Sequence, residues 1–269
     1  MLTLSYDDKI RVAVVGTANV LPTVAFVAEH ERSTQVKYFV IADNALPNAS
    51  DKIKFITHEE LADVIGGLDA VFMLTALDDE STCKTAHLVA DCVKNVWLSV
   101  AVIQSASNVD ELRHAEENFG VVVNLAEQQV NQTVENFSYK IVHGIHSVYD
   151  EDFYPYLMPV DGNDLKDLLT CGSKTFVAFG EASGENPIVA AVNVALDSSP
   201  VKNNLQRARS VFVNILGSRD SLSMLEANEA INPVFEATNP DGEFYFVVNL
   251  DDSLAEKIFV MIFICVLES

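Results

Sequence analysis

Ala70-Val71-Phe72-Met73-Leu74-Thr75 runs directly into Ala76-Leu77-Asp78-Asp79-Glu80 and then Ser81-Thr82-Cys83-Lys84. The first six residues are apolar without alternation, which reads as a strand buried on both faces. Three acids follow, and Ser81–Lys94 then reads as a helix whose positive end those acids favour. A strand with two apolar faces needs helices on both sides, so this one segment already argues for a parallel sheet inside an α/β layer.

The same alternation extends in both directions. Apolar runs at Ile10–Val15, Lys37–Ile41, Trp97–Ile103 and Val121–Leu125 are strand-length, and helical stretches at Leu21–His30, Glu59–Ile65 and Asp110–Asn118 separate them. From Gln128 to Tyr149, Val130, Val134, Phe137, Ile141, Ile145 and Val148 recur at helical spacing, predicting one long helix with a continuous apolar stripe. The remainder reads as mixed: helices at Asp164–Leu169, Pro187–Leu196 and Leu222–Ala230, and strands at Lys174–Phe179, Val211–Leu216, Val234–Thr238, Glu243–Asn249 and Ile258–Leu267. The last two strands are expected to pair through a turn at Asp251-Asp252-Ser253. The expected organisation is an α/β domain over 1–127, a central helix and loop over 128–160, and an α+β domain over 161–269.

Composition limits the function. With 39 acidic and 17 basic residues the net charge is −22, which opposes binding to nucleic-acid phosphates. MLTLSYDDKI lacks the basic and apolar regions of a secretory leader, so a cytoplasmic protein is expected. The longest apolar run, Ile258–Leu267, is about half of the ~20 residues a membrane helix needs. Cys83, Cys92, Cys171 and Cys265 form no CxxC pair, and His143 and His146 have no third ligand at a suggestive spacing. Reduced, structural cysteines and no metal site are therefore expected.

Several segments together resemble the tubulin/FtsZ superfamily, and FtsZ within it. Gly180-Glu181-Ala182-Ser183-Gly184-Glu185, Ser199-Pro200-Val201 and Ala208-Arg209-Ser210-Val211-Phe212-Val213-Asn214-Ile215 resemble consecutive FtsZ segments in kind, order and spacing. Asp69–Ala76 is similar to the strand before the FtsZ phosphate loop, and Val40-Ile41-Ala42-Asp43-Asn44-Ala45-Leu46 resembles a further segment. The resemblance implies a Rossmann-like nucleotide-binding domain, a central helix, a smaller C-terminal domain, and GTP as the family's ligand.

The phosphate loops depart from that pattern. Glycines let backbone N–H groups approach phosphates, yet the first loop reads Gly16-Thr17-Ala18-Asn19-Val20 and the second reads Leu77-Asp78-Asp79-Glu80-Ser81-Thr82. A carboxylate ~4 Å from a phosphate charge costs about 1 kcal/mol in water and about 4 at an effective dielectric of 20. The guanine-reading position on the central helix aligns with Asn136, whose amide cannot offer two acceptors. The resemblance thus assigns Gly16, Thr17, Ala18, Asn19, Asp43, Ser81, Thr82 and Asn136 to a degenerate pocket. No cofactor is expected, or GTP if the pocket functions.

Pro159-Val160-Asp161-Gly162-Asn163-Asp164 resembles the family's catalytic loop, which acts on a neighbouring subunit's nucleotide. By that resemblance Asp161 and Asp164 are the candidate catalytic residues; alternatively they cap the following helix. The leading expectation is a noncatalytic pseudo-GTPase that assembles with itself or with an FtsZ-like protein. A divergent active GTPase is the second reading. A dinucleotide enzyme is the third, since Gly16 and Asp43 imitate the ends of a Rossmann phosphate turn and ribose-binding strand. The chain ends at Ser269 without a linker and docking tail, so no direct membrane binding is expected.

Overall fold

The computed structural model describes residues 10–44, 46, 49–128 and 130–267. The leader reading at 1–9, Ala45 in the compared segment, Gln129 in the central-helix reading and the end at Ser269 lie outside them. Two compact units divide the chain: 1–126 with 130–142, and 127–129 with 143–269.

The first unit alternates β1 (Val12–Thr17), α1 (Leu21–His30), β2 (Val36–Ile41), β3 (Ile53–Ile56), α2 (Leu61–Ile65), β4 (Ala70–Leu77), α3 (Glu80–Cys92), β5 (Leu98–Ala106), α4 (Val109–Asn118) and β6 (Val121–Asn124). Its strands form one parallel six-stranded sheet in the order β3-β2-β1-β4-β5-β6. Every residue of β1 and β4 is buried, as unalternating apolar strands require. On one face Val71, Met73, Ala101 and Ile103 share a core with Ala86 and Val89 of α3. Burying each of Val71, Met73, Ile103 and Val89 contributes about 1.5–3 kcal/mol.

α5 spans Val134–His146, shorter at both ends than the predicted helix. Its start is fixed by Thr133, whose Oγ1 accepts from Asn136 N at 3.3 Å and whose carbonyl accepts from Phe137 N at 3.0 Å. Gln128 is instead engaged with the strand over residues 174–182: its Nε2 donates to Thr175 O at 3.0 Å and its Oε1 accepts from Val177 N at 2.9 Å. The side-chain amide takes the place of a neighbouring strand's peptide along that edge.

The second unit contains β7 (Tyr156–Met158), α6 (Gly162–Thr170), β8 (Lys174–Ala182), α7 (Pro187–Leu196), α8 (Ser199–Asn204), β9 (Ala208–Gly217), α9 (Met224–Ala230), α10 (Asn232–Ala237), β10 (Glu243–Leu250) and β11 (Ile258–Val266). The sheet order is β7-β10-β9-β11-β8, with β10 parallel to β9 and the other neighbours antiparallel. Two expectations are corrected. The predicted strand over 234–238 is instead the body of helix α10, which ends at Ala237 with Thr238 as its C-cap: Pro233 occupies the first helical turn, where its missing N–H costs no bond. The predicted β10–β11 hairpin is absent, because β9 lies between them. All nine residues of β11 are buried, so it needs neighbours on both edges, whereas β10 opens with the partly exposed Glu243-Phe244-Tyr245.

Gly180 shows why a signature glycine persists without a ligand. A Cβ there would stand 1.8 Å from Ala191 O, so the missing side chain is what lets α7 lie against β8.

Candidate functional site

In an open parallel sheet, ligands bind where the strand order reverses, beyond the carboxyl ends of the strands. Here that point falls between β1 and β4, and the residues predicted for the first phosphate loop gather there. Thr17, at the end of β1 and 1% exposed, donates from Oγ1 to Asn19 Oδ1 at 2.6 Å. It also lies 3.1 Å from Thr75 Oγ1 on β4. Asn19 Nδ2 donates to Ala76 O at 3.0 Å. The two strand ends are thereby joined directly by hydrogen bonds across the crevice. Gly16 faces inward: a Cβ there would stand 2.3 Å from Val24 Cγ2, so its lack of a side chain serves the packing of α1 on β1. Ala18 sits in the exposed turn between them.

The second loop is equally committed to its own chain. Asp79 caps α3, accepting from Thr82 N at 2.9 Å, while Thr82 Oγ1 donates to Asp79 O at 2.9 Å. An α3 N–H that could have met a phosphate is occupied by a carboxylate. Asp78 Oδ2 accepts from Ser105 Oγ at 2.7 Å. Ser81 is exposed in the first turn. A cavity of about 460 Å³ beside the loop has four acids, Asp78, Asp79, Glu80 and Glu111, in its lining, with Lys84 as the one lysine or arginine among them. His87 Nε2 is 2.6 Å from Glu111 Oε2. Burial, and then the charges of Glu111, Asp79 and Asp78, push the Cys83 thiol up.

Asn136, on α5, donates its amide hydrogen to Gln132 Oε1 at 2.9 Å. Asp43 is exposed just beyond β2. For a nucleoside triphosphate this is a poor fit: hydrogen bonds join β1 to β4, Asp79 fills the α3 cap, and the carboxylates lining the adjacent cavity oppose a phosphate's charge.

In the second unit, Asp161 caps α6 and its Oδ1 accepts from Asn163 N at 2.8 Å. Asp164 is exposed in the first turn. Both line a cavity of about 500 Å³ together with Pro159, Asn232, Phe235, Phe244 and Tyr245. Phe235 is 59% and Tyr245 43% exposed, and Phe235 meets Phe244 edge-on with ring centroids 5.4 Å apart. Sequence reading missed these aromatics, because Phe235 was assigned to a strand and nothing in the chain's order ties α10 to the 159–164 loop. His143 is buried against Tyr154, and His146 lies 3.2 Å from Asp150. Among the described residues no three His, Cys, Asp or Glu side chains are grouped to hold a metal, and no helix is long and apolar enough to cross a membrane.

An FtsZ point mutant from M. jannaschii superposes with a TM-score of 0.77 at 21% identity, covering 96% of this chain and 91% of that one. The "FtsZ dimer, empty" from the same organism superposes at 0.76 and 19% identity, covering 96% and 88%. CetZ from Methanosaeta thermophila gives 0.67 at 14% identity, covering 97% and 88%. The protein therefore has the tubulin/FtsZ fold. Residues 173–268 match the model of the FtsZ family, C-terminal domain. The "Cell division protein FtsZ" of Haloferax mediterranei is 22% identical over 245 residues, 84% of this chain, which spans 65% of that relative's length. The chain thus shares the FtsZ fold and is similar in sequence to the C-terminal domain of that family over residues 173–268.

Proposed function

We propose that this chain is a noncatalytic FtsZ-like protein, a cytoplasmic pseudo-GTPase that acts in cell division by assembling with itself or with an FtsZ-like subunit. The observation that carries this reading is the bridged crevice: Thr17 to Thr75 and Asn19 to Ala76 join the strand ends at the sheet's switch point. A phosphate entering there must break bonds and approach Asp78 and Asp79, and no glycine-rich run offers backbone donors in exchange. Titration with fluorescent GTP, with and without magnesium, tests it. No saturable binding and no phosphate release are expected; saturable binding, or release abolished by Asp161→Ala, overturns the reading.

A more specific form is favoured by Asp161 and Asp164 lying beside exposed Phe235 and Tyr245. That face offers acids and aromatic surface to a nucleotide-bearing subunit, while the chain's own crevice provides no nucleotide for the next one. Such a subunit ends a filament.

A further inference from the structure

The residue that closes α6, Cys171, lies beside Cys265 of β11. The backbone carries the contact. Ser173 N donates to Val266 O at 3.0 Å, and a Cβ on the intervening Gly172 would stand 2.9 Å from Cys265 Cβ. Ser210, paired with Cys265 across the β9–β11 ladder, completes the cluster: Cys171 Sγ lies 3.1 Å from Ser210 Oγ. Cys265 is fully buried and its Sγ donates to Leu169 O at 3.1 Å, whereas Cys171 is only half-buried. One cysteine is thus partly exposed and its neighbour is buried. We propose that this pair is an oxidation site at which a hydroperoxide drives formation of a Cys171–Cys265 disulfide.

The environment distinguishes the two sulfurs. The contact with Cys265 is the main cause that draws the Cys171 thiol down to about 6, with Ser210 and the Arg209 charge assisting and burial opposing. The same contact, with burial, pushes Cys265 up. Cys171 is therefore the more acidic and less buried of the two, which makes it the attacking sulfur and Cys265 the resolving one. Cys83 and Cys92 are both raised, chiefly by burial. In the first step the Cys171 thiolate attacks one peroxide oxygen, the O–O bond breaks, and the other oxygen leaves as hydroxide and takes up a proton to become water; Cys171 becomes a sulfenic acid. Cys265 sulfur then attacks the Cys171 sulfur, the S–O bond breaks, and the hydroxyl leaves with the Cys265 proton as a second water. Two thiols and one hydroperoxide yield one disulfide, with the peroxide reduced. The bond ties the last turn of α6, whose first turn carries Asp164, to the middle of the sheet.

The test is to expose the full chain at neutral pH to a small excess of hydrogen peroxide and map the products by mass spectrometry. The expected product has lost two hydrogens, links the peptides of Cys171 and Cys265, and reverts with dithiothreitol. In Cys265→Ala, Cys171 is expected to persist as a sulfenic acid that dimedone labels. Oxidation of Cys171 to the sulfinic acid with Cys265 still a free thiol overturns the proposal, as does oxidation of Cys83 or Cys92 ahead of Cys171. The map of the wild-type protein decides the matter even if the Cys265 variant fails to fold.

Discussion

Asn214 donates its Nδ2 hydrogens to Gly144 O at 2.7 Å and to Ser147 Oγ at 3.0 Å, both at the carboxyl end of α5. Asn249 adds Nδ2 bonds to Ser147 O at 3.1 Å and to Asn214 Oδ1 at 3.3 Å. Helix-terminal carbonyls have no intrahelical partner, and these buried asparagines on β9 and β10 supply one. Asn214→Ala removes the donors and leaves Gly144 O buried without this bond. We expect a loss of about 2 kcal/mol of stability in urea denaturation; a change below ~0.5 kcal/mol would mean the carbonyls find other partners.

Gly180→Ala places a methyl group against the backbone of α7, with 1.8 Å to Ala191 O. Backbone cannot swing aside as a side chain can, so the helix must lift from β8. The expected cost is about 3 kcal/mol, at the upper end for overpacking. Thermal unfolding checks it. Gly67→Ala is the comparison, since nothing lies within 4 Å of a Cβ there.

Asp161 and Asp164 separate a structural role from an assembly role. Asp161→Ala loses the α6 cap and is expected to cost about 1 kcal/mol, whereas Asp164→Ala, in the exposed first turn, should change stability by less than about 0.5 kcal/mol. Added below stoichiometry to a polymerising FtsZ, the wild type is expected to shorten filaments in light scattering, and Asp164→Ala to lose the effect at unchanged stability. Equal activity of both proteins would remove the acids from the proposed docking face.

Asp69 gives the pH dependence. Its carboxylate accepts from Arg11 Nε and Nη2, each at 3.0 Å, and from Arg11 N at 2.8 Å. The bonds to the Arg11 side chain hold it below the usual carboxylate range, against opposing burial. A depressed folded pKa contributes stability above the unfolded value, and that contribution is lost as pH falls through the folded value. The deficit of Asp69→Asn should therefore be present at pH 7 and shrink below about pH 4. Denaturation series at both pH values measure it; a deficit independent of pH would assign the effect to packing.

Most of the first sheet was legible because β1, β2, β4, β5 and β6 are unalternating apolar runs. β3 escaped notice because its four residues place Lys54 between Ile53 and Phe55, and β7 because it has three residues next to Pro155 and Pro159. The β10–β11 error arose from proximity in sequence, which says nothing about a third strand entering between them. At the candidate site, the capping of α3 by Asp79 and of α6 by Asp161 could be foreseen from local chemistry. Thr75 as the partner of Thr17 could not: the two lie 58 positions apart, and only the register of β1 on β4 brings them together.

The sheet order of the second unit has a consequence for how the nascent chain matures. Among the described residues β8 has one strand neighbour, β11, and β11 is also the only strand that joins it to β9. As the ribosome extends the chain from residue 182 to residue 258, β8 lacks that strand; α7 packs against it and the Gln128 side chain bonds its backbone at Thr175 and Val177. The sheet closes only when synthesis has passed Val266. Such long-range pairing folds slowly and leaves strand edges open to other chains. This unit is thus completed by insertion of its last strand between two that were translated before it.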